Sequence, residues 1–495
     1  MIALTATEVA ELTGGRLGAD AAGDVRTHGP VVVDSRAAVP GALFVALPGE
    51  RVDGADYAGT AVAAGASVVL AERAVELPAG AALVLVEDGV AALGRLAAGV
   101  LERLRAGTDG GGTGPLVVAV TGSQGKTTTK DLLASVLGDV LDGPVVAPRG
   151  SFNNEVGAPL TVLRAEAGTR ALVVEMGARG LGHIAHLCAI ARPDVGVELV
   201  VGAAHAGEFG SLEATARAKG ELVEALPTGG LAVLNADDDR VAAMASRTRA
   251  RVLTFGRGAH ADVRAAEVTL DGRARARFRL EHGGAVADVA LRLHGEHQVT
   301  NALAAAAVAL STGASVADVA LALSRAEPAS PGRMQVLERP DGVTVVHDAY
   351  NANPDSVRAA LKALVGMAAD AGADGAPRRT WAVLGEMLEL GPASRDEHDL
   401  VGRTVVRLDV DQLLVVGAGA RPIYTGAVME GSWGEEAAFA PDVESALEFL
   451  RPRLRPGDVV LVKSSNGAGL ARLAEELVQD RTQDQTQEKA EASDT

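Results

Sequence analysis

The most specific chemical signal in the sequence is a short glycine-rich loop between an apolar segment and a helix-forming segment. The apolar run 116–120 predicts a buried parallel strand, and the residues from Lys126 onward predict a helix. Backbone N–H groups of such a loop, together with a helix N-terminus, are suited to cradling phosphates. We therefore predict that a nucleotide binds to Gly122, Ser123, Gln124, Gly125, Lys126, Thr127 and Thr128.

The loop is shorter than the common phosphate-binding pattern G-x-x-x-x-G-K-[ST]. That pattern needs a glycine where the chain has Val120, and the spacing here is G-x-x-G-K-T, starting at Gly122. Lys126 is expected to reach the β- and γ-phosphates, and Thr127 to offer its hydroxyl to Mg²⁺. The alternative is a glycine turn before a helix, without a ligand.

Two further side chains follow apolar runs that predict neighbouring strands, 171–176 and 194–202. Glu175 lies near the end of the first run, and His205 follows the second within a glycine-rich stretch. Ligands of α/β sheets bind at the carboxyl ends of the strands, and carboxylates are ligands that Mg²⁺ prefers. The alternatives are a solvated glutamate and a structural histidine.

Lysines are scarce: the chain has six, against forty arginines among its 46 basic residues. Lys126 lies in the glycine loop, and Lys219 lies in a predicted helix over 211–227. A lysine can lose its proton and react, whereas an arginine cannot. Lys219 shares a helix face with the apolar residues Leu222 and Val223, which indicates that its side chain points inward. The alternative is a lysine on the surface.

The segment His-Asp-Ala-Tyr-Asn-Ala-Asn-Pro ends a predicted strand, 343–350. Asp348, Asn351 and Asn353 offer polar groups there, although Asp and Asn before proline are also common in structural turns.

The pattern of apolar runs predicts an α/β protein with several domains. After a glycine-rich linker, 108–115, strands and helices alternate, which indicates a mostly parallel sheet with crossover helices. Residues 261–295 alternate as in a small antiparallel sheet, and 301–311 predict a buried, alanine-rich helix. A second α/β unit follows a turn at 327–333, with strands predicted at 343–350, 380–387, 412–419 and 458–465.

Composition limits the classes of protein. With 495 residues the chain has room for about three domains, and its net charge of −18 argues against nucleic-acid binding. Cys188 is the single cysteine, which suits a reducing compartment. The first residues lack the pattern of a secretory signal, and no apolar run has the length of a membrane span. These features predict a cytoplasmic protein.

Together these motifs resemble the Mur ligase family, ATP-dependent amide-forming enzymes of peptidoglycan precursor synthesis. The family loop has the short form T-G-x-x-G-K-T, as at 121–127, and the likeness extends over residues 1–475. Segments 151–161 and 348–356 are most similar to the branch that adds D-alanyl-D-alanine to UDP-N-acetylmuramoyl-tripeptide.

The resemblance implies three domains: a small UDP-sugar-binding domain (1–110), a central P-loop-type ATPase domain with a mostly parallel sheet (115–327) and a Rossmann-like C-terminal ligase domain (328–478). The last residues, 479–495, contain no large apolar side chain, which predicts a disordered tail. It also implies roles for individual residues. Thr127, Glu175, His205 and a carbamylated Lys219 would bind Mg²⁺, Asn301 would contact adenine, Arg333 the γ-phosphate and Asp348 the ribose. The substrates would bind to Asp34, Ser35, Arg36, Asn153, Asn154, Asn351 and Asn353.

The implied activity transfers the γ-phosphoryl group of ATP to the tripeptide carboxylate, and the amine of D-alanyl-D-alanine then attacks the acyl phosphate. ATP and Mg²⁺ are the expected cofactors, and the protein is expected to be a monomer. The sequence departs from family patterns at Leu199, Val200, Gln298 and His347. One alternative is another ligase of the superfamily, either the enzyme that adds the third residue of the peptide or the enzyme that adds glutamate to folate. The other alternative is an ATP-binding switch without ligase activity.

Overall fold

The computed structural model describes residues 1–19, 21–49, 52–107, 114–148, 150–202, 211–369, 377–431 and 435–479. His205, most of the predicted linker 108–115 and nearly all of the predicted tail lie outside the described residues.

The N-terminal part has a five-stranded sheet with the order β2-β7-β6-β5-β4 and a separate pair, β1 and β3. Its strands are β1 (Leu4–Thr5), β2 (Arg16–Leu17), β3 (Arg26–Thr27), β4 (Val31–Val32), β5 (Leu43–Ala46), β6 (Val68–Ala71) and β7 (Ala82–Leu85). Its helices are α1 (Ala6–Thr13), α2 (Ala58–Ala63) and α3 (Gly89–Ala106). The four strands β4 to β7 are parallel, and β2 is antiparallel to β7.

The central part has a nine-stranded sheet with the order β16-β15-β14-β13-β12-β11-β8-β10-β9. Its strands are β8 (Leu116–Thr121), β9 (Val145–Val146), β10 (Ala171–Glu175), β11 (Val195–Glu198), β12 (Leu231–Asn235), β13 (Arg251–Gly256), β14 (Val263–Leu270), β15 (Arg275–His282) and β16 (Ala285–His294). Its helices are α4 (Lys126–Val140), α5 (Gly157–Val162), α6 (His183–Ala191), α7 (Leu212–Lys219), α8 (Glu221–Glu224), α9 (Asp239–Ala243), α10 (Gln298–Ser311) and α11 (Val316–Arg325).

The C-terminal part has a six-stranded sheet with the order β17-β18-β22-β19-β20-β21. Its strands are β17 (Gln335–Glu338), β18 (Thr344–Asp348), β19 (Thr380–Leu384), β20 (Gln412–Val416), β21 (Ala437–Ala440) and β22 (Val459–Lys463). Its helices are α12 (Pro354–Ala368), α13 (Ser394–Arg407), α14 (Arg421–Glu430), α15 (Val443–Leu450) and α16 (Leu470–Gln479). All of its strands are parallel except β17.

Burial explains the composition of the central strands. Every residue of β10, β11 and β12 is buried, because helices cover both faces of the sheet, and such strands are continuous apolar runs instead of alternating ones. Helix α10 is rich in alanine and packs closely against α4, since small side chains allow two helices to approach. The glycine loop is thereby held at the carboxyl end of β8.

The antiparallel segment is organised differently from the sequence prediction. Residues 261–295 do form antiparallel strands, β14 to β16, but β14 pairs in parallel with β13. The strands therefore extend the central sheet instead of forming a separate small one. Without β14, the edge of β13 would present backbone N–H and C=O groups that have no partner strand. Likewise, the predicted helix 211–227 is divided at Gly220 into α7 and α8.

Within the described part of the chain, no helix has the length and apolar character that crossing a membrane requires.

Candidate active site

The glycine loop joins β8 to α4 in a conformation that needs its glycines. Gly125 has φ +82°, and a Cβ atom there would lie 2.3 Å from Oδ1 of Asn301. Gly122 has φ +152°, and a Cβ atom there would lie 2.8 Å from Cβ of Leu199. Because α4 begins at Lys126, the N–H groups of its first turn have no carbonyl partner within the helix. The loop therefore presents amides and a helix dipole to an anion.

Lys126 turns its ammonium group back onto the loop. Its Nζ donates to the carbonyl oxygen of Gly122 at 2.7 Å. Removal from water lowers the pKa of Lys126, the positive charge of Arg333 lowers it further, and Glu175 opposes the shift. An anionic phosphate would favour the charged form of this lysine.

The hydroxyl of Thr127 and the carboxylate of Glu175 form a pair of oxygen ligands beside the loop. Oγ1 of Thr127 donates to Oε2 of Glu175 at 3.1 Å. The other oxygen of Glu175 accepts from Nδ2 of Asn153 at 2.9 Å, and Oγ of Ser151 lies 2.9 Å from Oγ1 of Thr127. Such hard oxygen donors next to a phosphate site fit Mg²⁺, which is usually bound by one or two carboxylates and phosphate oxygens.

Arg333 reaches this loop from the C-terminal part of the chain. Its Nη2 donates to Oγ1 of Thr127 at 3.2 Å and to Oγ of Ser151 at 3.1 Å. Its Nε is buried and has no hydrogen-bond partner among the described residues. Because an unpartnered buried donor is costly, this atom indicates a missing acceptor, for which a phosphate oxygen has the right chemistry.

The loop and Arg333 line a cavity of about 770 Å³, which is large enough for a nucleotide and a second substrate. Most of the residues predicted from the sequence also line it: Ser123, Gln124, Gly125, Lys126, Thr127, Thr128, Asn153, Asn154, Glu175, Asn301, Arg333, Asp348, Asn351 and Asn353.

Several of the lining amides are already engaged in local structure. Oδ1 of Asn154 accepts from the N–H of Gly157, the first residue of α5, at 2.8 Å. Asn353 is the N-cap of α12 and forms a capping box with Ser356. These side chains shape the wall of the cavity, and their free atoms remain candidates for substrate contacts.

Asn301 lies where α10 approaches the loop. It donates to Oε1 of Gln298 at 2.8 Å, and Oγ1 of Thr129 donates to its Oδ1 at 3.3 Å. Burial lowers the pKa of the neighbouring His297 to about 4, so this imidazole is neutral at pH 7. Asn301 thus contacts the helix that follows the loop and also lines the cavity.

Asp348 is held by the last strand of the C-terminal sheet. Its Oδ2 accepts from Nζ of Lys463 at 2.6 Å, and its Oδ1 accepts from the N–H of Met334 at 3.1 Å. Both charged side chains of this pair are buried. Asp348 is therefore part of an ion pair as well as of the cavity wall.

Three of the predicted residues lie away from this cavity, in the N-terminal part. Asp34 is the N-cap of a short 3₁₀ helix over Ser35–Ala37 and pairs with the exposed guanidinium of Arg36 at 2.6 Å. The sequence prediction that Asp34, Ser35 and Arg36 bind the nucleotide-sugar stays a prediction.

Lys219 is not among the residues that line the cavity, and it is buried, with 2% of its surface exposed. Burial lowers the pKa of Lys219 to about 7, the ammonium of Lys126 adds to the shift, and Glu198 opposes it. A neutral amine is therefore accessible near neutral pH, which carbamate formation requires.

Glu198 is a charged residue of β11 that the sequence analysis did not single out. It is fully buried, and neither of its carboxylate oxygens has a hydrogen-bond partner among the described residues. Its register partner on β8 is Thr121, whose hydroxyl is also buried and unpartnered in the described structure. Burial raises the pKa of Glu198 to about 8, and the positive charge of Lys219 opposes the shift. The signal that could have identified Glu198 from the sequence is the presence of a glutamate within an otherwise apolar run that predicts a parallel strand.

Ser151, Tyr350 and Lys463 were also not predicted as site residues. Lys463 was one of only six lysines and lies near the end of a predicted strand, 458–465, which is the signal that could have identified it. The contact of Ser151 with Arg333 joins distant parts of the chain, and neither this contact nor that of Tyr350 with Arg333 has a local sequence signature.

No group of three or more His, Cys, Asp and Glu side chains that could hold a metal occurs among the residues that the structure describes. His205 lies outside them. A bound Mg²⁺ would therefore draw ligands from Thr127, Glu175 and phosphate oxygens, with Lys219 as a ligand only after carbamylation.

Comparison with known proteins identifies relatives of the whole chain. Three family models match: the Mur ligase family catalytic domain at residues 30–100, the Mur ligase middle domain at 120–309, and the Mur ligase glutamate ligase domain at 332–466. A UDP-N-acetylmuramoyl-tripeptide–D-alanyl-D-alanine ligase of Mycobacterium tuberculosis is 52% identical, with 97% of this chain and 99% of the relative covered.

Solved structures agree with this similarity. The fold is similar to that of MurF from Acinetobacter baumannii, with a TM-score of 0.83, 31% identity, and coverage of 96% of this chain and 99% of that one. It is also similar to a MurF ligase of Thermotoga maritima in complex with ADP, with a TM-score of 0.75, 30% identity, and coverage of 92% and 98%.

Proposed function

Because the chain belongs to the Mur ligase family, we propose that it joins D-alanyl-D-alanine to UDP-N-acetylmuramoyl-tripeptide in peptidoglycan precursor synthesis. The enzyme is an ATP-dependent amide ligase that uses Mg²⁺ and releases ADP and phosphate. The relatives that carry this activity in their names are similar over nearly their whole length, which supports a transfer of the reaction as well as of the fold.

The observation that carries this proposal is the convergence of Lys126, Thr127, Glu175 and Arg333 on one cavity. The first three belong to the central part, and Arg333 belongs to the C-terminal part. A phosphoryl group bound by the loop would therefore be contacted by cations from two parts of the molecule. Phosphoryl transfer depends on such positioning and charge neutralisation, since the protein has little covalent chemistry to perform.

The reaction proceeds through an acyl phosphate. The tripeptide carboxylate attacks the γ-phosphorus, the bond to the ADP oxygen breaks, and the amine of D-alanyl-D-alanine then displaces phosphate from the acyl carbon. The loop amides and Lys126 hold the phosphates, and Arg333 neutralises charge on the transferring group. Mg²⁺ supplies Lewis-acid polarisation of phosphate oxygens when bound. Thr127 and Glu175 hold their oxygens in place for that ion through their mutual hydrogen bond and the amide of Asn153.

All three parts of the chain contribute to the wall of the cavity. Its wall contains Asp348 and Asn351 from the C-terminal part and Asp88 from the N-terminal part, together with the loop. A site that closes between domains excludes water from a hydrolysable acyl phosphate. The use of ATP and the single cysteine are consistent with action in the cytoplasm, and a monomeric state remains a prediction from the sequence.

A coupled assay of ADP release tests the function. The purified chain is given ATP, Mg²⁺ and D-alanyl-D-alanine, with UDP-N-acetylmuramoyl-tripeptides that carry either diaminopimelate or lysine, and the product is identified by mass. We expect ADP release that requires both the tripeptide and the dipeptide. Release with diaminopimelate or lysine as the amine and UDP-N-acetylmuramoyl-dipeptide as the acceptor would instead identify a third-residue ligase.

The same assay addresses the remaining alternatives. ADP release with a folate and glutamate would indicate a folate-type ligase. ATP binding without ADP release in the presence of any acceptor pair would indicate a nucleotide-dependent switch and contradict the proposal.

A further inference from the structure

Arg333 lies on a turn whose backbone conformation is uncommon for residues with side chains. Gly332 has φ +68° and Met334 has φ +49°, so the residues on both sides of Arg333 are left-handed. Glycine adopts this conformation freely, whereas a methionine there is strained and needs support from its surroundings. The direction in which Arg333 leaves the turn therefore depends on what holds Met334.

The end of β18 holds this turn through three contacts. Oδ1 of Asp348 accepts from the N–H of Met334 at 3.1 Å, and the N–H of Tyr350 donates to the carbonyl oxygen of Gly332 at 3.3 Å. The ring of Tyr350 lies beneath the guanidinium of Arg333, 4.4 Å from its Cζ. Asp348 is the only one of these residues whose side chain contacts the strained backbone directly.

Lys463 in turn holds Asp348. The two residues are register partners on the parallel strands β18 and β22, and Nζ of Lys463 donates to Oδ2 of Asp348 at 2.6 Å. The same Nζ donates to the carbonyl oxygen of Asn351 at 3.0 Å, which fixes the chain just beyond Asp348. Lys463 is 2% exposed, so its contacts are not exchanged readily for water.

We propose that Lys463 is a positioning residue for the ligase reaction: it fixes Asp348, Asp348 fixes the left-handed turn at Met334, and the turn directs Arg333 to the phosphate loop. Lys463 itself donates no hydrogen bond to the loop in this structure, and it acts through two other residues. This inference rests on the proposed function, in which Arg333 contacts the transferring phosphoryl group.

A purely structural role for the buried pair makes a different prediction from a positioning role. Removing one partner of a buried ion pair destabilises a protein, because the other charge remains unpaired. That effect would reduce activity by the same factor whether or not Arg333 is present. A positioning effect would disappear with Arg333, since no guanidinium would remain to be directed.

The test is a double-mutant cycle of Lys463→Met and Arg333→Met, with steady-state kinetics at saturating tripeptide and dipeptide. In the wild-type background, we expect Lys463→Met to lower kcat by about 10- to 100-fold, the scale of a misplaced catalytic group, with a smaller change in KM for ATP. In the Arg333→Met background, the same change should lower kcat by less than about threefold. Lys362→Met is the control, because Lys362 is an exposed lysine on α12 of the same part of the chain, and it should retain wild-type kinetics.

Equal losses of kcat in both backgrounds would overturn the proposal, as would wild-type kcat in Lys463→Met. If Lys463→Met does not fold, as judged by thermal unfolding, Lys463→Gln replaces it in the cycle, because its neutral and shorter side chain removes the ion pair with Asp348 but leaves a polar group beside the buried carboxylate. If the wild-type chain lacks ligase activity, the proposed function fails by itself. The cycle is then read from the affinity for an ATP analogue, where additive losses would contradict the coupling.

Discussion

At the scale of single residues, burial decides which charged groups near the cavity can change their protonation. Lys219 and Glu198 are both buried, and their pKa values move toward each other, to about 7 and about 8. Each shift is caused first by loss of hydration, and each is opposed by the charge of the partner. Burial thus favours the neutral forms of both side chains.

Substitutions at Lys219 test whether a carbamate forms there. A carbamate needs a neutral amine and CO₂ and offers oxygens to Mg²⁺, so Lys219→Ala should fold but lose activity by about 100-fold or more. Acetate or formate at high concentration should restore part of that activity by occupying the vacated position. Lys219→Arg should be equally inactive, with Lys362→Arg as the control. Turnover at the wild-type rate in Lys219→Arg would contradict the carbamate, because a guanidinium cannot form one.

Glu198 should make stability depend on pH. Its pKa is raised above the unfolded value of 4.5 to about 8, so its contribution is fully present below pH 4.5 and is lost as the pH rises toward 8. The charged groups that act on it are Lys219, Arg247 and Asp238. Glu198→Gln keeps the shape of the side chain and cannot ionise. The Tm of this variant minus the Tm of the wild type should therefore increase from pH 5 to pH 7.

Thermal unfolding of both proteins at several pH values measures this difference. Lys219 is mainly protonated in both the folded and the unfolded states below pH 7, so it adds little in this window. A difference in Tm that stays constant from pH 5 to pH 7 would show that the folded chain does not hold the proton on Glu198.

At the scale of elements, the connection between β8 and α4 combines a strand end, a glycine loop and a helix N-terminus. The helix is rigid because α10 packs against it, and the loop is confined because Asn301 of α10 lies against Gly125. The position of the phosphates is thus determined by two helices that are far apart in the sequence.

Two glycine substitutions in this element should have different effects: one should weaken ATP binding, and the other should stabilise the fold. Gly125→Ala places a methyl group 2.3 Å from Oδ1 of Asn301 at φ +82°, so we expect the affinity for ATP to fall about 10-fold or more. Gly138 lies within α4, and a Cβ atom there meets nothing within 4 Å. Gly138→Ala should therefore stabilise the protein by about 0.5–1 kcal/mol and leave ATP binding unchanged. Calorimetric titration and thermal unfolding measure the two effects, and normal ATP affinity in Gly125→Ala would contradict the loop geometry.

At the scale of the whole molecule, the site consists of residues that are far apart in the sequence. Arg333 donates hydrogen bonds to Thr127 and Ser151, which both lie more than 180 residues earlier in the sequence. The segment 327–333, which ends at Arg333, has no regular secondary structure and is exposed at Glu327, Pro328 and Ala329. Movement of this segment would separate Arg333 from the loop.

Limited proteolysis tests this coupling. We expect the segment 327–333 to be cut by a protease of low specificity in the absence of ligands, since exposed connections are preferred sites. An ATP analogue with the nucleotide-sugar substrate should slow the cleavage, because ligands that bind the closed form favour it. Mass spectrometry locates the cuts, and the same rate of cleavage at 327–333 with saturating ligands would argue against closure.

The sequence alone determined the local elements and the chemistry of the loop. The strand 116–120, the glycine loop and the helix from Lys126 are encoded by neighbouring residues, so their apolar pattern and glycine spacing were sufficient to predict β8 and α4. Strand lengths were less well predicted: 194–202 became β11 over only Val195–Glu198, since the end of an apolar run does not mark the end of pairing.

Only the tertiary structure decided which distant side chains meet. The antiparallel strands β14 to β16 join the central sheet, Lys463 pairs with Asp348, and Glu198 is buried opposite Thr121, all through contacts between residues that are far apart in the chain. Pairing of strands and burial of charges depend on how sheets and helices pack, and this information is not contained in the composition or spacing of any single segment.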